Sequence, residues 1–237
     1  MKYFGEKKLE DVTTEELRRF LLKYLKDERK LGDRSINYYN SVIRFIYEVT
    51  LDKVLNKKQI PMRKQKKCVY KVLTKEELST FFNVCDNFKF KTIFMLVYGS
   101  GLRIGEVANL RVEDIDGKNM RKFVREGKGN KERYTILPKQ SLEMLRTYWS
   151  KYRQNKRIGR IFLSESGKAI TVGVIREHFR KYRRKARLNE KVTVHTLRHC
   201  FATDLIERGA TLIQVKELMG HSNIRSLYNE LKEFAIV

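Results

Sequence analysis

The apolar run TIFMLVYGSGL, residues 92–102, ends in a glycine break and reads as a buried helix. A helix that is apolar all round has to be enclosed by other elements, so the chain around it must supply them. Most of what surrounds it reads as helix too. Thr13 and Glu16 form a capping box ahead of Leu17, Phe20, Leu21, Tyr24 and Leu25, which predicts a helix over 13–29. Gly32 and Asp33 break and restart the chain, and Ile36, Tyr39, Ile43, Ile46 and Tyr47 mark a second helix. Thr74 and Glu77 open another, carrying Leu78, Phe81 and Phe82. The stretch RKFVREGKGNKERYTILP alternates about a Gly-rich centre and predicts a β-hairpin, after which helices are expected around 139–153 and 171–186. No internal repeat interrupts this order.

Residues 53–71, KVLNKKQIPMRKQKKCVYK, hold eight basic residues, no acidic one and a proline. Such a run predicts a solvated linker, here one that tracks a phosphate backbone through Lys64, Lys66 and Lys67. It divides the chain into a short helical unit over 1–58, a linker over 59–72 and a larger domain over 73–237. With 41% hydrophobic residues there is material for a real core. The balance of 52 Lys and Arg against 28 Asp and Glu, a net charge of +24, implies a polyanionic partner, most commonly nucleic acid. Without a long apolar span or a signal peptide, a membrane partner is not expected and cytoplasmic residence is. Cys68, Cys85 and Cys200 are odd in number and far apart, which argues against a disulfide framework and a zinc site.

The segment HTLRHCFATDLIERG, residues 195–209, has Thr193 as N-cap and Gly209 as stop. At helical spacing His195, Arg198 and His199 share one face, and Leu197, Phe201 and Leu205 form an apolar stripe on another. Histidines at i and i+4 could suit zinc, but Thr196 stands where a zinc protease helix carries glutamate, and Arg198 would repel a metal. The set suits an anion, since arginine presents a fixed fork of donors and imidazoles add more. The plain alternative is one satisfied core histidine on a solvated basic helix.

Three further segments accompany this one: GLRIGEVANL with Arg103 after a glycine turn, GKGNKER with Lys128 at a hairpin tip, and LMGHSNI with His221 directly after Gly220. In this order they resemble the tyrosine recombinase (phage integrase) family, from about Thr74 to Tyr228. The resemblance implies a mainly α fold: a small helical core-binding domain, shorter here than the family's usual one, and an α-helical catalytic domain with a small β-sheet edge. The two would close as a clamp on double-stranded DNA. It also implies site-specific strand exchange through a 3′-phosphotyrosine, by an integrase or transposase of a mobile element, without metal or cofactor. Arg103 and Arg198 would meet the charge developing on the phosphate, His195 and His221 would add hydrogen bonds and proton transfer, and Lys128 would protonate the leaving 5′-oxygen. Glu106 and His199 would support these groups. Arg180, Arg183 and Arg184, in the cluster RKYRRKAR, would contact the DNA backbone, and His178 would be structural or DNA-facing.

Tyr228 is the nucleophile that the resemblance implies, and here the chain departs from the family pattern. Tyr228 follows His221 by seven residues rather than about nine, and a shift of two turns a helical side chain by about 200°. A DNA-binding protein of the same fold that has lost cleavage is therefore the alternative, and a type IB topoisomerase-like nicking enzyme acting as a monomer a third reading. The resemblance also implies a homo-oligomer assembled on DNA through the C-terminus, with nucleoid association, and the tail LYNELKEFAIV, with Leu227, Leu231 and Phe234 at helical spacing, fits that role.

Overall fold

Residues 3–64, 72–125, 132–153 and 159–232 are described by the computed structural model, which divides into two units, Met1–Lys67 and Cys68–Val237. In the first unit, Thr13 and Glu16 start α1 (Thr14–Arg19): the Thr13 hydroxyl accepts from the Glu16 N–H at 3.3 Å, and the Glu16 carboxylate accepts from the Thr13 N–H at 2.8 Å. The helix runs on as a wider π-helical segment, Phe20–Glu28. Its apolar face meets Ile36, Ile43 and Tyr47 of α2 (Asp33–Leu51).

The solvated linker expected from residue 53 onward begins later than its charge suggests. Ile60 is only 3% exposed within this small core. Arg44 of α2 donates to the Leu55 and Ile60 carbonyls at 2.6 and 2.5 Å, and Asn37 is paired with both backbone groups of Arg63 at 2.8 and 2.9 Å. One apolar side chain and a row of polar partners on α2 fold the basic segment back, because its carbonyls are satisfied there.

The second unit is built around α4 (Phe88–Ser100), the predicted buried helix, with α3 (Lys75–Asn83) ahead of it and α5 (Ile104–Ala108) behind. Ile93, Phe94, Leu96 and Val97 are almost fully enclosed. The hairpin forms an antiparallel three-stranded sheet with β1 (Ile115–Asp116), β2 (Arg121–Val124) and β3 (Arg133–Ile136), in which Lys122 pairs with Thr135 and Phe123 with Tyr134. Its tip, residues 126–131, lies outside the described residues. Then come α6 (Lys139–Thr147), continued as a π-helical turn Tyr148–Tyr152, and α7 (Val172–Lys185), whose start is capped by the Thr171 hydroxyl.

The chain finishes with α8 (Val194–Glu207), α9 (Leu212–Met219) and α10 (Ile224–Lys232). α8 packs along α4. Phe201, Ala202, Val215 and Met219 form a separate small core with Leu227 and Leu231, both fully buried. The first two positions of the apolar tail stripe are thus covered by the chain's own α8 and α9, while Phe234 lies outside the described residues. No helix among the described residues is long and apolar enough to cross a membrane.

Candidate active site

The site begins at the end of α4. Gly101 takes a left-handed turn, φ +62°, and a Cβ there would sit 2.3 Å from the Phe201 ring, so only glycine lets α8 approach. The turn delivers Arg103 to the N-terminus of α5, where its N–H donates to the Glu106 carboxylate at 2.8 Å and its guanidinium donates to the same group at 2.9 Å. Glu106 also receives a two-pronged pair from Arg133 of β3, both bonds 3.0 Å. This carboxylate is only 7% exposed, so it is far from the ordinary surface pair that an i, i+3 spacing first suggests. Arg133 lies inside the GKGNKER segment, but sequence reasoning gave it no role. Nothing in that segment hints at a partner on α5.

Burial alone would raise the Glu106 carboxyl, yet the hydrogen bonds and charge of Arg133, the Arg103 backbone N–H and the charge of Arg198 carry it down to about 2 from 4.5. A carboxylate held lower in the fold than in the unfolded chain stabilises the fold above the unfolded value, and that contribution is lost as pH falls toward the folded one. Stability measured from pH 5 to pH 2 should therefore drop on the order of 3 kcal/mol through this group. Glu106→Gln should be less stable at neutral pH and show a correspondingly flatter acid limb in denaturant titrations.

α8 differs from its helical-wheel reading. His195 is exposed, but Arg198 is 1% and His199 4% exposed, and the helix is enclosed on nearly every side from Thr196 to Ala202. The trio does not form one outward face. Leu197 and Phe201 serve two different cores, so α8 is wedged between them and the polar side chains have to be satisfied inside. The Arg198 guanidinium donates to the Gly101 carbonyl and, at 2.6 Å, to the Met219 carbonyl, and its second terminal nitrogen lies 3.3 Å from Nε2 of His221. The His195 and His199 rings stack, with centroids 4.6 Å apart.

Three arginines meet at the end of α9. The Leu218 carbonyl accepts from Arg133 at 2.8 Å, Met219 from Arg198 at 2.6 Å and Gly220 from Arg103 at 2.9 Å. A helix C-terminus exposes these carbonyls and carries partial negative charge, so cations from α5, β3 and α8 are drawn to one turn. That turn fixes where His221 emerges. Gly220 closes it with φ +68°, and a Cβ would come within 2.7 Å of the Arg133 guanidinium. Gly220→Ala should lower unfolding free energy by about 1–2 kcal/mol for the left-handed backbone, and further for displaced Arg133, as read from a denaturant midpoint.

Arg103 and His195 also line a cleft of about 430 Å³ whose far wall is Arg176, Arg180 and Arg183 of α7. Arg180 and Arg184 are exposed. Arg183 is half-buried and donates to the Glu190 and Val192 carbonyls, holding the loop that leads into α8. His178 stacks on Phe90, centroids 3.6 Å apart, inside the domain. Lys64 is exposed in the first unit; Lys66, Lys67 and Lys128 lie outside the described residues. Tyr228 is half-buried on α10, one position after Leu227. Cys85 and Cys200 are buried with their thiols pushed up to about 12, so neither is available as a thiolate. The arrangement provides clustered, pre-set cations beside an open basic cleft, which is what a phosphodiester requires.

Residues 71–231 match the family model described as phage integrase family. The chain belongs to the phage integrase family. Within it, the chain is 33% identical over 207 residues to tyrosine recombinase XerA of Pyrococcus horikoshii, covering 86% of this chain and 71% of that relative. It is likewise 33% identical over 235 residues to tyrosine recombinase XerC of Oceanobacillus iheyensis, covering 94% and 77%. Among solved structures, the Tn1549 transposon integrase in complex with circular intermediate DNA superposes with a TM-score of 0.76 at 19% identity, covering 95% of this chain and 82% of that one. XerH recombinase bound to difH substrate gives the same score at 21% identity, covering 100% and 75%. The mostly helical fold with its small sheet is thus that of tyrosine recombinases. Enzymes of this family cleave and rejoin DNA, and this chain is a tyrosine-type recombinase.

Proposed function

We propose that this recombinase exchanges strands between two specific DNA sites through a 3′-phosphotyrosine, as the integrase or transposase of a mobile element. The observation that carries the reading is the convergence of Arg103 and Arg198 on the turn that presents His221, next to exposed His195 and a basic cleft. The Tyr228 hydroxyl attacks the phosphorus and passes its proton to His195 or His221, the 5′-oxygen departs with a proton from Lys128, and the phosphate stays bonded to the tyrosine. A 5′-hydroxyl from the partner duplex then attacks that phosphorus and releases the tyrosine, so phosphodiester energy is conserved and no cofactor is consumed. Arg103 and Arg198 are fixed before substrate arrives, so charge developing on the non-bridging oxygens is met without reorganisation. His195 and His221 add hydrogen bonds to the phosphate, Glu106 holds Arg103, and His199 supports His195 by stacking.

Arg180, Arg183 and Arg184 of α7 and Lys64, Lys66 and Lys67 ahead of the larger unit contact the duplex backbone. Copies assemble on paired sites through the C-terminal tail, and the protein resides with the nucleoid. The test is a two-duplex exchange reaction with an end-labelled site from the chain's own element. Joined strands of recombinant length, in undiminished yield with EDTA, are the expected result. Cleavage that depends on a divalent metal and leaves no joined product would refute the reading.

A further inference from the structure

A second cleft opens on the other side of Arg103. It has a volume of about 600 Å³ and lies between α5, β2 and the start of α7, with Arg103, Arg125, Arg160 and Arg176 on its walls. Lys122 of β2 lines its floor and is fully buried. A buried ammonium ordinarily has a carboxylate beside it. The two acidic side chains of this cleft are committed elsewhere: Glu106 to Arg103 and Arg133, and Asp114 to Arg125. Among the described residues neither forms an ion pair with Lys122. Val124, on the same face of β2, is an ordinary core residue.

We propose that this cleft is a second anion subsite, in which Lys122 and Arg176 receive a DNA backbone phosphate other than the one held by Arg103 and Arg198. The inference rests on the DNA-acting reading above. Arg103 and Arg176 line both clefts, so a strand crossing the ridge between them places phosphates on each side. Burial pulls the Lys122 ammonium down to about 7 from 10.5; Arg133 adds to the fall, and Glu106 and Asp114 oppose it. These groups of α5, β3 and the turn before β1, with the arginines of the walls, are the charges that face it. A phosphate entering the cleft favours the charged form, so at pH 8 the free protein holds Lys122 mostly neutral and the complex holds it charged. DNA binding is then linked to proton uptake.

The experiment is calorimetric titration of the full chain with a short mixed-sequence duplex at low salt and pH 8, in two buffers of different ionisation enthalpy. Wild type should take up a large fraction of one proton per bound chain. Lys122→Met, which replaces a buried cation by an apolar side chain of similar length and should fold at least as well, should lose that uptake and reduce the log-log salt slope by about 0.9. Arg176→Gln, an exposed change on the cleft wall, should also diminish the uptake, which keeps the test independent of any packing effect at position 122. Wild-type binding without uptake, or equal uptake in Lys122→Met, overturns the subsite alone. A wild type that binds no duplex overturns the DNA-acting reading and the subsite with it.

Discussion

Arg198→Lys is expected to slow single-turnover strand cleavage by at least about 10²-fold while duplex affinity changes only a few-fold. The guanidinium reaches three places at once: the Gly101 carbonyl at the end of α4, the Met219 carbonyl at the end of α9, and Nε2 of His221. A lysine ammonium is a point donor on a flexible stem and cannot span that fork. The substitution keeps the charge, so long-range attraction for DNA, spread over a net +24, is preserved. What is lost is a fixed direction for positive charge at the phosphate and the register of His221. Such a loss falls on the transition state more than on the bound substrate. Rates from a trapped-cleavage substrate, set beside filter-binding affinities, separate the two effects; a cleavage rate within a few-fold of wild type would mean that Arg198 is merely a structural tie.

Tyr228→Phe is expected to abolish covalent protein–DNA adduct entirely and to leave duplex binding and thermal stability close to wild type. The substitution removes one hydroxyl from a half-buried ring, and the neighbours that anchor α10, Leu227 and Leu231, are untouched. Tyr182, the tyrosine before it in the sequence, is fully buried with its hydroxyl on Asp86 at 2.7 Å. Adduct that persists in Tyr228→Phe would move the nucleophile elsewhere in the chain.

Much of the helical framework was legible because it is written in local signals. Capping boxes at Thr13 and Thr74 act within a few residues and mark the starts of α1 and α3 where the structure has them, while the apolar run before Gly101 marks the later part of α4 and misses its start at Phe88. Arg103, His195, Arg198 and His221 were legible as a set of short segments in a fixed order. Their surroundings were not. That Arg198 and His199 are buried follows from α8 being pinched between two cores, which depends on elements more than 90 residues away, such as Gly101. The role of Arg133 depends on Glu106 and on the end of α9, and Lys122 reads in sequence as one more basic residue of a basic chain. The folded-back segment around Ile60 was hidden by its charge, because composition weighs eight cations more heavily than one isoleucine.

The spacing between His221 and Tyr228 makes covalent chemistry the point on which the account stands. α10 begins only three residues after His221, so Tyr228 lies just past its first turn. The deciding measurement is incubation of the wild-type chain with a nicked suicide duplex carrying its recombination site, followed by a denaturing gel. A labelled band shifted by the mass of the 28.3 kDa chain, resistant to boiling in detergent and lost on protease treatment, is the predicted result. Retarded DNA on a native gel with no such band on the denaturing one would contradict it and leave a protein that binds DNA without cutting it.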